Sequence, residues 1–411
     1  MRILQTIAIS IVLLVACAVL FILGVTSGKL PRAISSDSPN EFIEASKGLM
    51  EDQFVGNLAL VLIEDGKVAE EYFHDLETTI DRNTGFQVAS VSKWVTAFGV
   101  FKLVQDGKVD LDTPIDDYLT RWHLPESEFD NREVTIRRLL SHSAGLVDDL
   151  GYDGFDPGER IQTIEESLTK AADSDYAEGV ARVGIEPGTQ YMYSGAGYTI
   201  LQLLIEEISG LSFQEYMTET VFKPLGMENS TFDLSTKPNM RMATFYMTDG
   251  SIAKPSKFTA LAAASLYTTA ADLSKFMIAH VSANPVLNAS TIETMMEAET
   301  FINNTPVYAL GPHLYSQGDT GSKVIGHDGS SGKPRINTAA RIDMKTKDGI
   351  IVLEMGSPNM ASNIADEWLF VKAGIADFVV IQRNMSYLIT IFAVGYLVLL
   401  AFLLRWRLKK K

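Results

Sequence analysis

Two adjoining β-rich runs open the body of this chain, and nothing similar returns until after residue 305. Asn57 to Glu64 (NLALVLIE) alternates and is rich in β-formers, Asp65-Gly66 is a hairpin turn signal, and Lys67 to His74 reads as the return strand. Further β-rich runs lie at 323–326, 336–343 and 349–355, the last two joined by a polar turn containing Asp348-Gly349. From about 110 to 280 the pattern is mainly helical with long loops, and Ile200 to Ile208 is an amphipathic helix closed by Gly210. A last helix is expected at about 360–375. Strands at both ends with helices between imply one sheet assembled from the two ends of the chain, with a helical insertion, an α+β class. Residues 148–160 (DDLGYDGFDPGER) read as an acidic, glycine-rich rim.

Charge separates this body from the chain ends. The 411 residues are 46% hydrophobic and 21% charged, enough to bury a core and too apolar for wholesale disorder. The net charge is −16. Residues 1–25 carry only Arg2, and residues 387–411 carry only Arg405, Arg407, Lys409, Lys410 and Lys411, so residues 26–386 hold 29 basic and 51 acidic groups, a net −22. No basic face of the kind that binds nucleic acid is to be expected. Ile3 to Val25 is uncharged over 23 residues and Tyr387 to Leu404 over 18. Both match the roughly 20 residues of a membrane-spanning helix, and the basic tail places the C-terminus on the cytoplasmic side. Two spans would make the bilayer a partner and hold the body at the outer face of the cell (inner) membrane, extracytoplasmic, with both termini inside. The first run also has the features of a signal peptide. Leu14-Val15-Ala16-Cys17 resembles a lipoprotein box, although the run stays apolar for eight residues beyond it. Cys17 is the one cysteine, so an intrachain disulfide and a zinc–thiolate site are both excluded.

Elimination narrows the chemistry. Six histidines with no clustered pair give metal catalysis little support, and the H-E-x-x-H, G-x-S-x-G and G-x-x-x-x-G-K-[ST] patterns are absent. Serine with a lysine base remains. In S-x-x-K the two side chains lie one helical turn apart, and a lysine shielded from water loses part of its preference for charge. The pattern occurs as Ser90/Lys93, Ser167/Lys170, Ser251/Lys254 and Ser330/Lys333. Ser167 lies in a polar helix, Ser251 in a loop and Ser330 in a glycine-rich turn. Only Ser90 opens a strongly apolar helix, with apolar residues at 91, 94, 95, 98, 101 and 104. There the helix N-terminus can also offer backbone N–H groups to an oxyanion. Trp94 and Phe98 read as core.

The segment ASVSKWVTAFGVFKLVQDGKVDLDTPIDDYL (89–119) resembles the active-serine segment of the serine β-lactamase-related family, the branch of class C β-lactamases, D,D-peptidases and esterases. The likeness continues, in the family's order, through 134–146, 187–217, 221–232, 265–277 and GHDGSSG (326–332). It implies an antiparallel sheet flanked by helices, with a mostly helical subdomain at about 111–259. Ser90 would be the nucleophile and Lys93 its base partner. The family's Tyr-x-Asn element reads Tyr193-Ser194-Gly195, so Tyr193 would share protons with the lysine and serve the leaving group. Its third element reads His327-Asp328-Gly329. His327 would orient the Tyr193 proton network, and the strand through Gly329 and Ser330 would present a backbone N–H that completes an oxyanion hole with that of Ser90. Gly195 departs from the pattern: glycine lacks the amide that contacts the substrate's amide and the base lysine. His142 reads as a structural hydrogen-bonder, whereas His74, His123, His280 and His313 have no partner legible in the sequence.

The chain therefore reads as a membrane-anchored serine hydrolase acting through an acyl-enzyme on a small acyl or peptide-like substrate, esterase-like, with no metal and no organic cofactor. The expected division is an anchor or signal segment at 1–25, a linker at 26–44, the hydrolase domain at 45–380, a transmembrane helix at 387–404 and a cytoplasmic tail at 405–411. A D,D-carboxypeptidase or β-lactamase, and a catalytically weak membrane-tethered binding or sensing module, are the rival readings. Oligomeric state is not legible.

Overall fold

The computed structural model describes residues 2–26, 34, 36–51, 54–148, 151–174, 179–315, 322–373, 389–402 and 405. It separates into two compact units, one of residues 1–35 with 366–411 and one of residues 36–365.

The larger unit is built on an antiparallel sheet drawn from both ends of its sequence. The strands are β1 (Asn57–Glu64), β2 (Lys67–His74), β3 (Gly85–Gln87), β4 (Phe245–Tyr246), β5 (Ile252–Ala253), β6 (Tyr267–Thr269), β7 (Thr300–Ile302), β8 (Thr305–Tyr308), β9 (His313–Leu314), β10 (Val324–Ser331), β11 (Ile336–Asp343) and β12 (Gly349–Met355). The main sheet runs β2-β1-β12-β11-β10-β9-β8-β7, while β3 pairs with β6 and β4 with β5. The β1–β2 hairpin turns at Asp65 and Gly66, with φ of 46° and 71°, the left-handed pair that matches the twist of a two-residue turn. β1 then pairs with β12 from Asn57↔Met355 to Ile63↔Gly349, closing first and last strands together. The alternation expected along β1 does not appear, because β1 lies inside the sheet and all but Glu64 are buried. Edge strand β2 carries the exposed positions instead.

The helices are α1 (Arg2–Thr26), α2 (Pro39–Met50), α3 (Val91–Gln105), α4 (Ile136–Leu140), α5 (Ile164–Thr169), α6 (Gly195–Ser209), α7 (Phe213–Met217), α8 (Lys223–Leu225), α9 (Leu261–Ala264), α10 (Ala270–Val281), α11 (Ala289–Met295) and α12 (Met360–Ala373). α3 is the centre of the larger unit. It packs on β10 and β11 on one side and on α6 and α9 on the other. An apolar residue on nearly every face is what such a position demands, and all of Val91 to Phe101 is buried. Trp94 donates from Nε1 to Nε2 of His280 at 3.1 Å, and Phe98 packs on Phe276 and His280 at ring-centroid distances of 5.4 and 5.2 Å. His280 is thus a core residue.

The expected N- and C-terminal transmembrane helices are corrected. Among the described residues, no helix is long and apolar enough to cross a membrane. α1 belongs to the smaller unit. Within this unit Phe21 and Phe392 meet at 5.5 Å between ring centroids, and α1 continues unbroken through Cys17.

Phe98→Ala removes a fully buried ring from α3 and is expected to lower stability by about 3–5 kcal/mol, read as a lower denaturant midpoint at unchanged slope.

Candidate active site

The turn that delivers Ser90 is held open by its neighbours. β3 ends at Gln87, and Ala89 takes a left-handed φ of 43°, a strained value for a residue with a Cβ, before Ser90 (φ −66°) starts α3. Ser92 locks this turn: its hydroxyl donates to the Ala89 carbonyl at 2.5 Å and accepts from the Leu266 N–H at 2.9 Å. The Ser90 hydroxyl makes no capping bond to its helix. It meets Lys93 instead, one turn along, with Nζ 3.2 Å from Oγ and 2.7 Å from the Ala263 carbonyl. Lys93 is 3% exposed. Burial pulls its ammonium down from 10.5 to about 7, against the opposing pull of the Asp148 carboxylate.

Tyr193 arrives from the loop before α6. Its hydroxyl shares a hydrogen bond with Ser90, and burial pushes the phenol up, so that it stays protonated. Its ring lies 4.9 Å from the Lys93 amine. His142 holds the loop, accepting the Ser194 N–H on Nδ1 at 3.1 Å and the Met192 N–H on its carbonyl at 2.7 Å. Its ring packs on that of Tyr193 at 4.3 Å. Asp148 anchors the next residues, accepting the Ser194 hydroxyl at 2.5 Å and the Ala196 N–H at 3.0 Å. Gly195 is the buried first residue of α6.

β10 supplies the third wall. His327 is buried; its Nδ1 lies 2.6 Å from the Asp328 carbonyl and its Nε2 3.0 Å from the Tyr308 hydroxyl. A carbonyl only accepts, so Nδ1 carries the proton and Nε2 receives that of Tyr308. Burial first, then His313 and Lys93, hold this imidazole well below its usual range and therefore neutral. Its hydrogen bonds run to Tyr308 and Asp328, and its ring stands 6.3 Å from that of Tyr193. The Asp328 side chain is tied down by Tyr315 and Ser362 at 2.8 Å each and by the fully buried Arg341 at 3.3 Å. Gly329 passes so near the nucleophile turn that a Cβ there would sit 2.2 Å from the Val88 carbonyl oxygen and 3.1 Å from the Ser90 nitrogen. Ser90, Lys93, Tyr193 and Ser330 all line one cavity of about 250 Å³. Three segments far apart in sequence thus meet around a hydroxyl, a neutralisable amine and a phenol. That is the equipment for nucleophilic attack with proton transfer.

The model of the Beta-lactamase family matches residues 42–372. The chain belongs to the Beta-lactamase family. Membership bears out the enzyme class expected from Ser90 and Lys93, a serine hydrolase of the β-lactamase-related type. The chain is 32% identical over 152 residues to penicillin-binding protein 4* of Bacillus subtilis, covering 36% of this chain and 30% of that protein. It is 30% identical over 198 residues to penicillin-binding protein 4 of Amycolatopsis lactamdurans, covering 46% and 47%. The matches span less than half the length of these relatives. Among solved structures, the octameric penicillin-binding protein homologue of Pyrococcus abyssi superposes with a TM-score of 0.69 at 25% identity, over 82% of this chain and 78% of that one. The D-amino acid amidase of Ochrobactrum anthropi gives 0.64 at 22% identity, over 81% and 99%, a likeness of fold.

Within this Beta-lactamase family site, several residues were invisible to sequence reasoning. His313, without a partner in the sequence, lies 4.7 Å from the His327 ring and 4.6 Å from that of Tyr308. Asp148 opens the run 148–160 that reads as an acidic rim, and neither Tyr308 nor Ser92 belongs to any motif legible in the sequence. Apolar residues around Asp148 were the one available signal that it is buried. Gly329→Ala is expected to displace the Ser90 turn and lower Ser90 reactivity toward a fluorophosphonate by roughly 10² or more, at near-native circular dichroism.

Proposed function

We propose that the chain hydrolyses carboxylic esters through an acyl-enzyme on Ser90. The observation that carries this reading is the Lys93 amine, buried and 3.2 Å from the Ser90 hydroxyl. Neutral Lys93 accepts the Ser90 proton as Oγ bonds to the substrate carbonyl carbon. The carbonyl oxygen becomes an oxyanion facing the backbone N–H groups of Ser90 and Ser330. The proton then passes from Lys93 by way of the Tyr193 hydroxyl to the leaving oxygen as the C–O bond breaks. Water releases the acyl group with the proton flow reversed. His327 and its Tyr308 partner hold the β10 wall of the site in a neutral state, and Gly329 permits the close approach of β10.

Preference for esters rests on Gly195. With no side chain at this position, the site lacks one polar clamp for an amide and discriminates less among acyl donors. Purified full-length protein is expected to be labelled at Ser90 by a fluorophosphonate, to lose label and turnover in Ser90→Ala, and to cleave p-nitrophenyl esters faster than a chromogenic cephalosporin. The penicillin-binding names of two relatives support the rival reading. Far faster cephalosporin turnover, or covalent capture of penicillin by Ser90 with no esterase activity, would replace this proposal with that rival.

Lys93 also sets a pH dependence. The amine must be neutral to take the serine proton, and its neutral fraction grows as pH rises through about 7. Ester turnover is expected to fall on the acid side with a midpoint near pH 7. Lys93→Arg, charged at every accessible pH, should lose roughly 10²–10⁴ in rate with no recovery at alkaline pH. An acid limb near pH 4 would show that another base does this work.

A further inference from the structure

The cavity also holds a polar group to which the chemistry above gives no task. Gln87 ends β3, three residues before Ser90, with its backbone fixed by pairing to Tyr267 of β6. Its side chain is 2% exposed and lines the cavity. Nε2 stands 3.5 Å from the Ala264 carbonyl, at the long limit of a hydrogen bond, and Oε1 has no partner among the described residues. A buried acceptor left unpaired is uncommon, and one that borders a substrate cavity is a place where a bound molecule completes the hydrogen bonding. Gln87 is also the one side-chain amide among the described lining residues, in a family member whose Tyr-x-Asn element ends in glycine.

The charge of the lining points the same way. Lys93 is its one basic side chain among the described residues, and it is engaged with Ser90 and Ala263. Asp153 contributes a carboxylate. Such a lining offers a substrate carboxylate no uncommitted basic side chain among the described residues, and the unpaired Oε1 of Gln87 suits a hydrogen-bond donor. We propose that Gln87 is a specificity-determining residue, which accepts an N–H beside the scissile carbonyl and so selects acyl donors derived from amino or acylamino acids over plain or carboxylate-bearing ones. This rests on the hydrolase reading above.

Full-length protein should be assayed with p-nitrophenyl esters of N-acetylglycine, glycine, butyrate and monosuccinate. The first presents an amide N–H, the second an ammonium, the third neither and the fourth a carboxylate. The better N–H-bearing ester is expected to exceed butyrate in kcat/KM by roughly tenfold or more, with monosuccinate slowest. Its identity tells an amide N–H from an ammonium. Gln87→Met should erase that advantage and leave butyrate within about twofold of the unaltered protein, whereas Gln87→Glu, which keeps an acceptor, should retain it and favour the glycine ester. Equal loss on all four esters in Gln87→Met, no loss on any, or no N–H preference in the unaltered protein would overturn the assignment. Should Gln87→Met fail to fold, loss of the N–H preference in Gln87→Glu overturns it equally. Failure of the hydrolase reading looks different: all four esters would then be cleaved as well by Ser90→Ala.

Discussion

Everything in this site depends on one lysine being kept out of water. Lys93 sits on a helix buried almost all round, and its amine has the Ala263 carbonyl and the Ser90 hydroxyl as hydrogen-bonding partners. Such an environment favours the neutral amine, because a carbonyl and a hydroxyl compensate a full charge far less well than water does. The cost falls on the fold. With the value lowered from 10.5 to about 7, the folded state binds fewer protons than the unfolded state between those two pH values. Stability from this group therefore rises with pH across that window. Below it, the penalty is on the order of 5 kcal/mol. The apolar packing of α3 against β10, β11, α6 and α9 offsets that penalty, so the core and the chemistry are one structure.

The second constraint is backbone approach. A nucleophile turn with Ala89 in a left-handed conformation would relax unless its surroundings fixed it. Ser92 pins it to Leu266, and the Val88 N–H donates to the Leu266 carbonyl at 2.9 Å. From the other side β10 presses in at Gly329, where no side chain fits. β10 is itself held rigid by an Asp328–Arg341 pair with Tyr315 and Ser362 around it. Burying that pair adds little net stability unless its remaining hydrogen bonds are met, but it fixes where Gly329 and His327 stand.

Local pattern made part of this legible. The β1–β2 hairpin, with its Asp-Gly turn, falls on the expected residues, as do β11 and β12, because each is decided by alternation and turn chemistry within a few residues. β7, β8 and β9 escaped notice: they are two to four residues long and take their form from pairing across the sheet. Ser90 and Lys93 were separable from three other S-x-x-K pairs by the apolar helix behind them alone. The contacts of His313, Tyr308 and Asp148 depend on which segments the fold brings together, and no spacing along the chain encodes that. The terminal runs show the opposite error. Hydropathy read them as spans, and among the described residues no helix is long and apolar enough to cross a membrane.

The residues packed around the amine share one electrical property. Burial lowers the imidazoles of His142 and His327 and raises the phenols of Tyr193, Tyr198 and Tyr308, so near neutral pH these groups carry no charge. Hydrogen bonds hold two of them in neutral form: Tyr308 donates to Nε2 of His327, and Tyr198 donates to the Leu140 carbonyl. A charge on any one of them would act on Lys93 at short range and low dielectric, and a second cation there would lower its proton affinity further. The wall therefore works by what it withholds. With these imidazoles and phenols neutral, Lys93 is free to exchange a proton near pH 7, and the Asp148 carboxylate is the counterweight that keeps its affinity from falling lower still.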